Sequence, residues 1–228
     1  PEVGDKSAHI NSLISRFDNI QDDSQEETEH RNQLSLPARN GIYLQLKSFL
    51  DHKLAIDKLE LKSANIRLLD FETVEKDGEK LERAILYIPY DSVSRFLGRL
   101  NAYKIDVEKQ KERPSQKDLI EFIGSIKAAV LEQFWRDPLE NIPKSEKSWV
   151  ELWIWTDDLI KDEERDERLQ DIRGVCEQLK VDTKEEFLHF VERSIVMIYA
   201  DEKDLTELLK SSDYIAEFRL AKSTVKFF

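Results

Sequence analysis

The stretch IRLLDFETVEKDGEKLERAILYIP, Ile66 to Pro89, predicts a β-hairpin and is the firmest indication of the fold class. Two runs rich in apolar and β-branched residues flank Asp77-Gly78, and Asp-Gly is a common two-residue hairpin turn. Pro89 ends the second strand, because proline donates no backbone hydrogen bond to a sheet. Asp91 or Ser92 can then cap the start of a helix.

Upstream of the hairpin, the sequence predicts a further strand, preceded by a short helix and a linker. GIYLQLKS, Gly41 to Ser48, alternates apolar and polar residues, which favours a strand with one solvent-exposed face. His9 to Ile20 carries apolar residues at helical spacing. QDDSQEETEHRNQ follows and has no aliphatic or aromatic residue, so it is either a solvated continuation of that helix or a mobile linker. We favour the linker.

Downstream of the hairpin, the charged run KIDVEKQKERPSQ indicates a boundary near residue 110. Gln116 to Trp135 then predicts a long helix, whose apolar stripe is too wide for a helix with one buried side. WVELWIW, Trp149 to Trp155, predicts a strand. A helix, a strand in RSIVMIYA, a second helix and the strand YIAEFRL complete a β-α-β-α-β order that is typical of a ferredoxin-like sandwich.

The predicted fold is therefore α+β, with two small ferredoxin-like units of mostly antiparallel sheet joined by the long helix. We expect residues 1–40 to form the N-terminal helix and acidic linker, and residues 41–110 to form the first α+β unit. Residues 111–228 are expected to form the second unit with a C-terminal tail. An apolar content of 40% in 228 residues is enough for packed cores.

The charge balance excludes several classes of partner. There are 47 acidic and 35 basic side chains, and the resulting net charge of −12 opposes general binding to nucleic acid or to anionic membrane surfaces. The sequence has no apolar run as long as a membrane-spanning helix, which needs about 18 residues. We expect a cytoplasmic protein, with the single cysteine, Cys176, as a buried structural thiol.

The sequence contains no recognisable catalytic, cofactor or metal motif. The four histidines, His9, His30, His52 and His189, are not at metal-ligand spacing from one another or from Cys176. A glycine-rich phosphate loop, a GxSxG elbow and an HExxH motif are all missing. The acidic run from Asp157 to Asp171 lacks the glycine turn of a calcium loop, and a solvated helix start explains it better. We expect no catalytic residue, no cofactor and no metal.

The tryptophan-rich strand is the one candidate interaction surface. Trp149, Trp153 and Trp155 share one face of the predicted strand. Tryptophan is enriched at the centres of protein interfaces, so these three side chains can form a partner-binding surface. The alternative is that they form a core face beneath the predicted long helix.

The order and spacing of several blocks resemble the N-terminal region of bacterial subtilisin-like serine peptidases. The similarity is closest to a cytosolic subgroup that is often encoded beside an AAA-type ATPase, and it extends from about His9 to the end. No single motif is diagnostic. The blocks are HINSLI, GIYLQLKS, LAIDKLELKSANIRLLDFE, LERAILYIPYDSVSRFLGRLNAY, DLIEFIGSIKAAVLEQFWRD, SWVELWIW, RSIVMIYA and LLKSSDYIAEFRLAKSTVKFF.

The resemblance implies a non-catalytic, prodomain-like module. The family's catalytic Asp, His and Ser motifs are absent from this sequence, so the chain itself is not expected to be an enzyme, and STVKFF would lead into the peptidase domain. By analogy, the module would act as intramolecular chaperone, inhibitor or regulator of that domain. Its tail, Val225, Lys226, Phe227 and Phe228, would lie in the substrate cleft, with Phe228 in the primary specificity pocket. An ordinary interdomain linker explains the tail equally well.

Two other functions are compatible with the same resemblance. The chain could be an interaction module that docks the peptidase to a partner such as an AAA ATPase, because its size exceeds what inhibition alone requires. It could also be a free-standing inhibitor or scaffold. All three interpretations predict protein partners.

Overall fold

The chain forms two units, each built on one four-stranded antiparallel sheet. The computed structural model describes residues 5–76, 78–159 and 161–222. The first unit comprises the residues up to Glu27 together with Asn40–Ala129, and the second comprises Thr28–Arg39 together with the residues from Val130 onward. Both sheets are flanked by helices, so the predicted α+β, ferredoxin-like fold class is confirmed.

The first unit has the strand order β2-β3-β1-β4, and every neighbouring pair is antiparallel. The predicted hairpin is confirmed, since Lys76 pairs with Glu79 and Gly78 has a φ of 83° in the turn. The elements are α1 (Lys6–Gln33, whose last part belongs to the second unit), β1 (Gly41–Ser48), α2 (Ile56–Leu59), β2 (Arg67–Lys76), β3 (Glu79–Pro89), α3 (Val93–Glu108), α4 (Lys117–Ile120) and β4 (Ile123–Ala128).

The core of the first unit lies between one face of its sheet and two helices, α1 and α3. Alternate residues of β1 and β3 face these helices, with Leu44 paired to Leu86 across the strands. Phe17 of α1 and Phe96 of α3 meet above the sheet, with ring centroids 5.0 Å apart. The connection between β1 and β2 contains only the one-turn α2 and a short 3₁₀ helix (Lys62–Ala64), so α1 supplies apolar surface that a full crossover helix would otherwise bury.

The second unit repeats this topology with the strand order β6-β7-β5-β8, again antiparallel throughout. Here both connecting helices are long, and their buried residues include Leu169, Ile172, Cys176, Leu205 and Leu208. The elements are α5 (Leu131–Phe134), β5 (Ser148–Trp155), α6 (Asp162–Gln178), β6 (Asp182–His189), β7 (Arg193–Ala200), α7 (Glu202–Ser211) and β8 (Ile215–Leu220).

Cys176 of α6 is a buried structural thiol, as predicted. The residue is completely inaccessible to solvent, and burial raises the pKa of its thiol to about 12. The thiol is therefore protonated at neutral pH, which makes it a poor nucleophile.

The predicted long helix from Gln116 to Trp135 is wrong. The segment instead contains the one-turn helices α4 and α5, and between them β4 pairs with β1 at the edge of the first sheet. Gly124 permits the close approach of these strands, because a Cβ at this position would lie 2.9 Å from Ser48 O. The apolar residues that predicted a broad helical stripe divide between separate elements.

Because β4 belongs to the first sheet, the predicted domain limits are also wrong. The division falls between Ala129 and Val130 and not near residue 110, so the first unit extends well beyond 41–110 and the second is shorter than 111–228.

Two smaller predictions for the first unit and α1 are also wrong. A linker within residues 1–40 is not found, since α1 runs without interruption through the acidic stretch to Gln33. The expected solvent-exposed face of β1 is not found, because Tyr43 and Gln45 are buried.

A buried arginine explains why the polar end of α1 is ordered. Arg31 is 3% exposed, and its Nε donates to Pro37 O at 2.8 Å. Its Nη1 binds Glu207 Oε2 at 2.6 Å, and its Nη2 donates to Ser211 Oγ at 2.7 Å. One guanidinium thus joins the last turn of α1 to α7, which an acidic, apolar-poor sequence does not reveal.

We expect Arg31→Met to destabilise the second unit by about 3 kcal/mol, because it leaves the Glu207 carboxylate without its guanidinium partner in a partly buried site. Urea unfolding followed by circular dichroism measures the change. Lys104→Met is the control, since Lys104 forms only a 3.9 Å pair with Glu108 on an exposed helix surface and should cost under about 0.5 kcal/mol. Equal losses for the two variants would contradict the anchoring role of Arg31.

His9 gives the first unit a pH-dependent stability. Its ring packs against Phe49 at 5.2 Å, and its buried Nε2 has no hydrogen-bond partner within the described residues. Burial lowers the pKa of His9 below its usual 6.5, although a backbone hydrogen bond with Ile123 opposes the shift, and nearby Arg16 lowers the pKa further. The unfolded chain therefore takes up the proton first as the pH falls below about 6.5.

The stability contributed by neutral His9 is thus complete above that pH and declines as the solution is acidified towards the lower pKa of the folded state. We expect His9→Gln to reduce the loss of stability between pH 7 and pH 5, measured as the shift in urea midpoint. His30→Gln, which changes an exposed imidazole on α1, should keep the wild-type pH dependence. An unchanged pH dependence in His9→Gln would show that His9 is not the titrating group.

Candidate functional site

The candidate site is the outer face of the second sheet, opposite the buried face that packs on α6 and α7. Strand β5 is central and sends Val150, Leu152 and Ile154 inwards, where all three are inaccessible to solvent. The outward side chains form what we call the aromatic face: Trp149, Glu151, Trp153 and Trp155 of β5, Lys184 of β6, Phe190 of the following turn, Arg193, Ile195, Met197 and Tyr199 of β7, and Glu217 and Arg219 of β8.

Solvent exposure changes along the aromatic face. Trp149 is 37% exposed and Tyr199, its partner on β7, is 36% exposed, whereas Trp155 at the other end of β5 is only 6% exposed. At the Trp155 end, the turn residues Phe190 and Val191 are exposed although Trp155 itself is not. The end of the face around Trp149 is therefore accessible, while Trp155 belongs to the structural core.

Aromatic contacts hold the exposed rings in place. Trp149 and Tyr199 are cross-strand neighbours with ring centroids 5.3 Å apart. Trp153 stacks on Phe190 at 5.8 Å, with an angle of 12° between the ring planes. These paired rings lose little additional freedom on binding, which favours a preformed interface.

Each of the three tryptophans is also paired with a cation. Lys184 Nζ lies 4.9 Å from the centre of the Trp149 ring, and the guanidinium carbons of Arg219 and Arg193 lie 4.2 Å from Trp153 and Trp155. The two acids of the face are also engaged. Glu151 accepts a hydrogen bond from Trp153 Nε1 at 3.0 Å, and Glu217 binds Arg136 and Arg219.

The structure brings Trp149, Trp153 and Trp155 to one face, as the sequence predicted. They do not lie beneath a long helix, because the segment that predicted one contains β4. Sequence reasoning missed Tyr199 and Phe190. Tyr199 alternates with buried residues of RSIVMIYA, so its outward position could be predicted from the sequence. Its pairing with Trp149 depends on the register between β5 and β7, which the sequence does not reveal.

The first unit contains an equivalent group of side chains that is buried. Tyr43 of β1 and Tyr87 of β3 are cross-strand neighbours with centroids 5.3 Å apart, and the guanidinium carbon of Arg67 lies 4.2 Å from the Tyr87 ring. Tyr43 and Tyr87 are 1% and 2% exposed. Both units thus pair a first-strand aromatic residue with a third-strand tyrosine, and a second-strand cation lies over one of the two rings, Tyr87 in the first unit and Trp149 in the second. The aromatic pair is exposed only in the second unit.

A Ser-His-Asp group in the second unit resembles a catalytic triad but cannot act as one. His189 Nδ1 lies 2.7 Å from Ser194 Oγ, and His189 Nε2 lies 3.0 Å from Asp166 Oδ1. Ser194 is fully buried, so its hydroxyl cannot reach a substrate. The group instead fastens the β6–β7 hairpin to α6.

The remaining predicted site residues, Val225, Lys226, Phe227 and Phe228, lie outside the described residues. Among the residues that the structure describes, no three His, Cys, Asp or Glu side chains are placed to hold a metal ion. None of the helices in these ranges is both long and apolar enough to span a membrane.

Comparison with known proteins gives little further information. No family model and no curated protein matches the chain. One similar solved structure is provisionally assigned as a glycine cleavage system transcriptional repressor, with a TM-score of 0.24 and 9% identity over 71% of this chain and 81% of that one. Another is an acetolactate synthase small subunit from Thermotoga maritima, with a TM-score of 0.19 and 12% identity over 78% and 91%. Similarities this weak carry no argument about function.

The exposure gradient predicts different energetic roles for the tryptophans. We expect Trp155→Ala to destabilise the protein by about 3–5 kcal/mol, because it leaves a cavity in a buried site, and Trp149→Ala to cost about 1 kcal/mol. Urea unfolding of the two variants measures both losses. If Trp149→Ala were as damaging as Trp155→Ala, Trp149 would be part of the core and not a candidate contact.

Proposed function

We propose that this chain is a non-catalytic, prodomain-like module that binds a subtilisin-like serine peptidase domain and acts as its chaperone, inhibitor or regulator. The observation that carries the proposal is the exposed Trp149–Tyr199 pair on the outer face of the second sheet. Paired aromatic rings that are fixed in position yet accessible to solvent are typical of the centre of a protein interface.

The composition of the aromatic face supports a protein partner. Its cations lie over indole rings or bind carboxylates, so they add rim contacts to an apolar centre. The net charge of −12 disfavours nucleic acid as an alternative. The burial of Ser194 and the absence of the family's triad motifs support a non-catalytic role.

The sequence resemblance supplies the identity of the partner. The resemblance is to the N-terminal region of subtilisin-like peptidases. It implies a ferredoxin-like module whose sheet packs against the catalytic domain. The second sheet has a partly accessible aromatic face that suits such a contact.

We expect the purified chain to inhibit a separately produced catalytic domain from the resembled subgroup, encoded in the same genome, at micromolar concentration or below. The double variant Trp149→Ala/Tyr199→Ala should weaken inhibition at least about tenfold, because it removes two interface aromatic side chains. Inhibition constants with a chromogenic peptide measure the effect, and circular dichroism checks that the variant remains folded.

Leu50→Ala/Ile105→Ala is the matched control, since it removes two comparably exposed apolar side chains from the first unit. The control should inhibit as the wild type does. Absence of inhibition and of binding at micromolar concentration would refute the peptidase-binding proposal. Equal inhibition by both double variants would refute the assignment of the aromatic face.

A truncation separates the roles of the sheet and the tail. A chain that ends at Lys222 should still bind the catalytic domain, because the aromatic face is intact. If the tail occupies the substrate cleft, the truncated chain should no longer inhibit competitively. Retained competitive inhibition would favour the ordinary linker.

A second candidate function is docking of the peptidase to an AAA-type ATPase. The observation that favours it is the complete first unit, which has its own core and is not needed to present the aromatic face. Capture of the purified ATPase by the intact chain and by Trp149→Ala/Tyr199→Ala tests this candidate. Capture that is insensitive to the variant would assign the ATPase to a different surface.

A further inference from the structure

A basic groove in the first unit is the strongest additional site. Lys58 of α2, Lys117 and Asp118 of α4, and three residues of the α3–α4 connection line it, the last being Arg113, Pro114 and Gln116. The groove is shallow and open to solvent. It lies in a protein whose net charge is −12, so a local excess of positive charge requires an explanation.

Arg99 of α3 lies beside this groove and contacts two of its lining residues. Its Nη2 donates to Lys58 O at 2.6 Å, and its Nε donates to Gln116 Oε1 at 3.2 Å, so it holds two of the lining residues. Its Nη1 is buried and has no hydrogen-bond partner within the described ranges. Burial lowers the pKa of the Arg99 guanidinium, as expected for a cation that has lost water without gaining a carboxylate.

The charges of the groove do not balance. Lys58 binds Asp118 at 2.7 Å, and Lys117 lies 3.4 Å from Glu121, which also binds Lys6. Neither Arg99 nor Arg113 has a carboxylate partner among the described residues. The hydrogen bond from Lys58 to Asp118 raises the pKa of the Lys58 amine, and nearby Asp57 raises it by less. Among the lining residues, three cations, Lys58, Arg113 and Lys117, therefore face one carboxylate, that of Asp118.

We propose that this groove binds a small phosphate-bearing ligand. A phosphate group carries up to two negative charges, which matches the excess of two positive charges among the residues that line the groove. Guanidinium groups bind phosphate oxygens in a bidentate manner, and Arg113 is exposed at the rim of the groove, where it can reach a bound anion. The ammonium groups of Lys58 and Lys117 line the same groove and add attraction.

Inorganic phosphate is the probe for this proposal. Titration of the full chain at constant ionic strength, followed by amide chemical shifts in ¹⁵N-labelled protein, should give saturable changes at residues 113 and 115–118 with a dissociation constant at or below about 1 mM. Arg113→Gln should weaken binding about tenfold, because one charge-assisted hydrogen-bonding group is lost. Lys144→Gln, which removes an exposed cation from the second unit, should leave the affinity unchanged.

Two further ligands test whether the groove is specific for phosphate. Methyl phosphate should bind as well as inorganic phosphate, whereas succinate, a dicarboxylate of similar charge, should bind at least about tenfold more weakly. Non-saturating shifts, or equal affinity in Arg113→Gln and wild type, would overturn the site. Equal affinity for succinate would overturn the assignment to phosphate. None of these outcomes depends on binding to a peptidase, so the result is separable from the function proposed above.

Discussion

In the second unit, α6 and α7 cover one face of the four-stranded sheet, and the aromatic face lies on the other. Successive side chains of β5, a central strand, point to opposite faces of the sheet, so Val150, Leu152 and Ile154 pack against the helices. The same alternation necessarily places Trp149, Trp153 and Trp155 on the opposite face. A one-residue change of register would exchange the two sets, so the register of β5 fixes both the core and the candidate binding surface.

The aromatic face combines rigidity with access. Trp155 is buried beneath its contact with Arg193, and this fixed end supports the more accessible rings along the strand. Trp153 is held between Phe190, Arg219 and Glu151, so its indole is oriented before any partner arrives. Binding through such a surface immobilises few additional side chains, which leaves more of the contact energy available as affinity.

Local patterns predicted those elements whose determinants are close in sequence. The hairpin turn at Gly78 and five elements of the second unit, β5, α6, β7, α7 and β8, are of this kind, whereas β6 was not predicted. The prediction for the segment around β4 was wrong because its apolar residues fit a helix or a strand equally well. Its pairing with β1 also joins residues that are far apart in sequence. The prediction of a linker at the end of α1 was wrong because the contact between Arg31 and Glu207 joins residues that are 176 positions apart. In the site, the tryptophan strand was readable from alternation, whereas the contributions of Tyr199 and Phe190 required knowledge of strand pairing.

The two units use one arrangement of side chains in two environments. Each has an aromatic residue on its central strand, a tyrosine opposite it and a cation from the second strand, namely Tyr43, Tyr87 and Arg67 in one unit and Trp149, Tyr199 and Lys184 in the other. The first pair is fully buried and the second is about one-third exposed. The two groups differ in burial and in the ring that the cation contacts, which is Tyr87 in the first unit and Trp149 in the second. A partner that covered the second pair would give it the environment that the first already has, and the gain would come from removing two large aromatic surfaces from water.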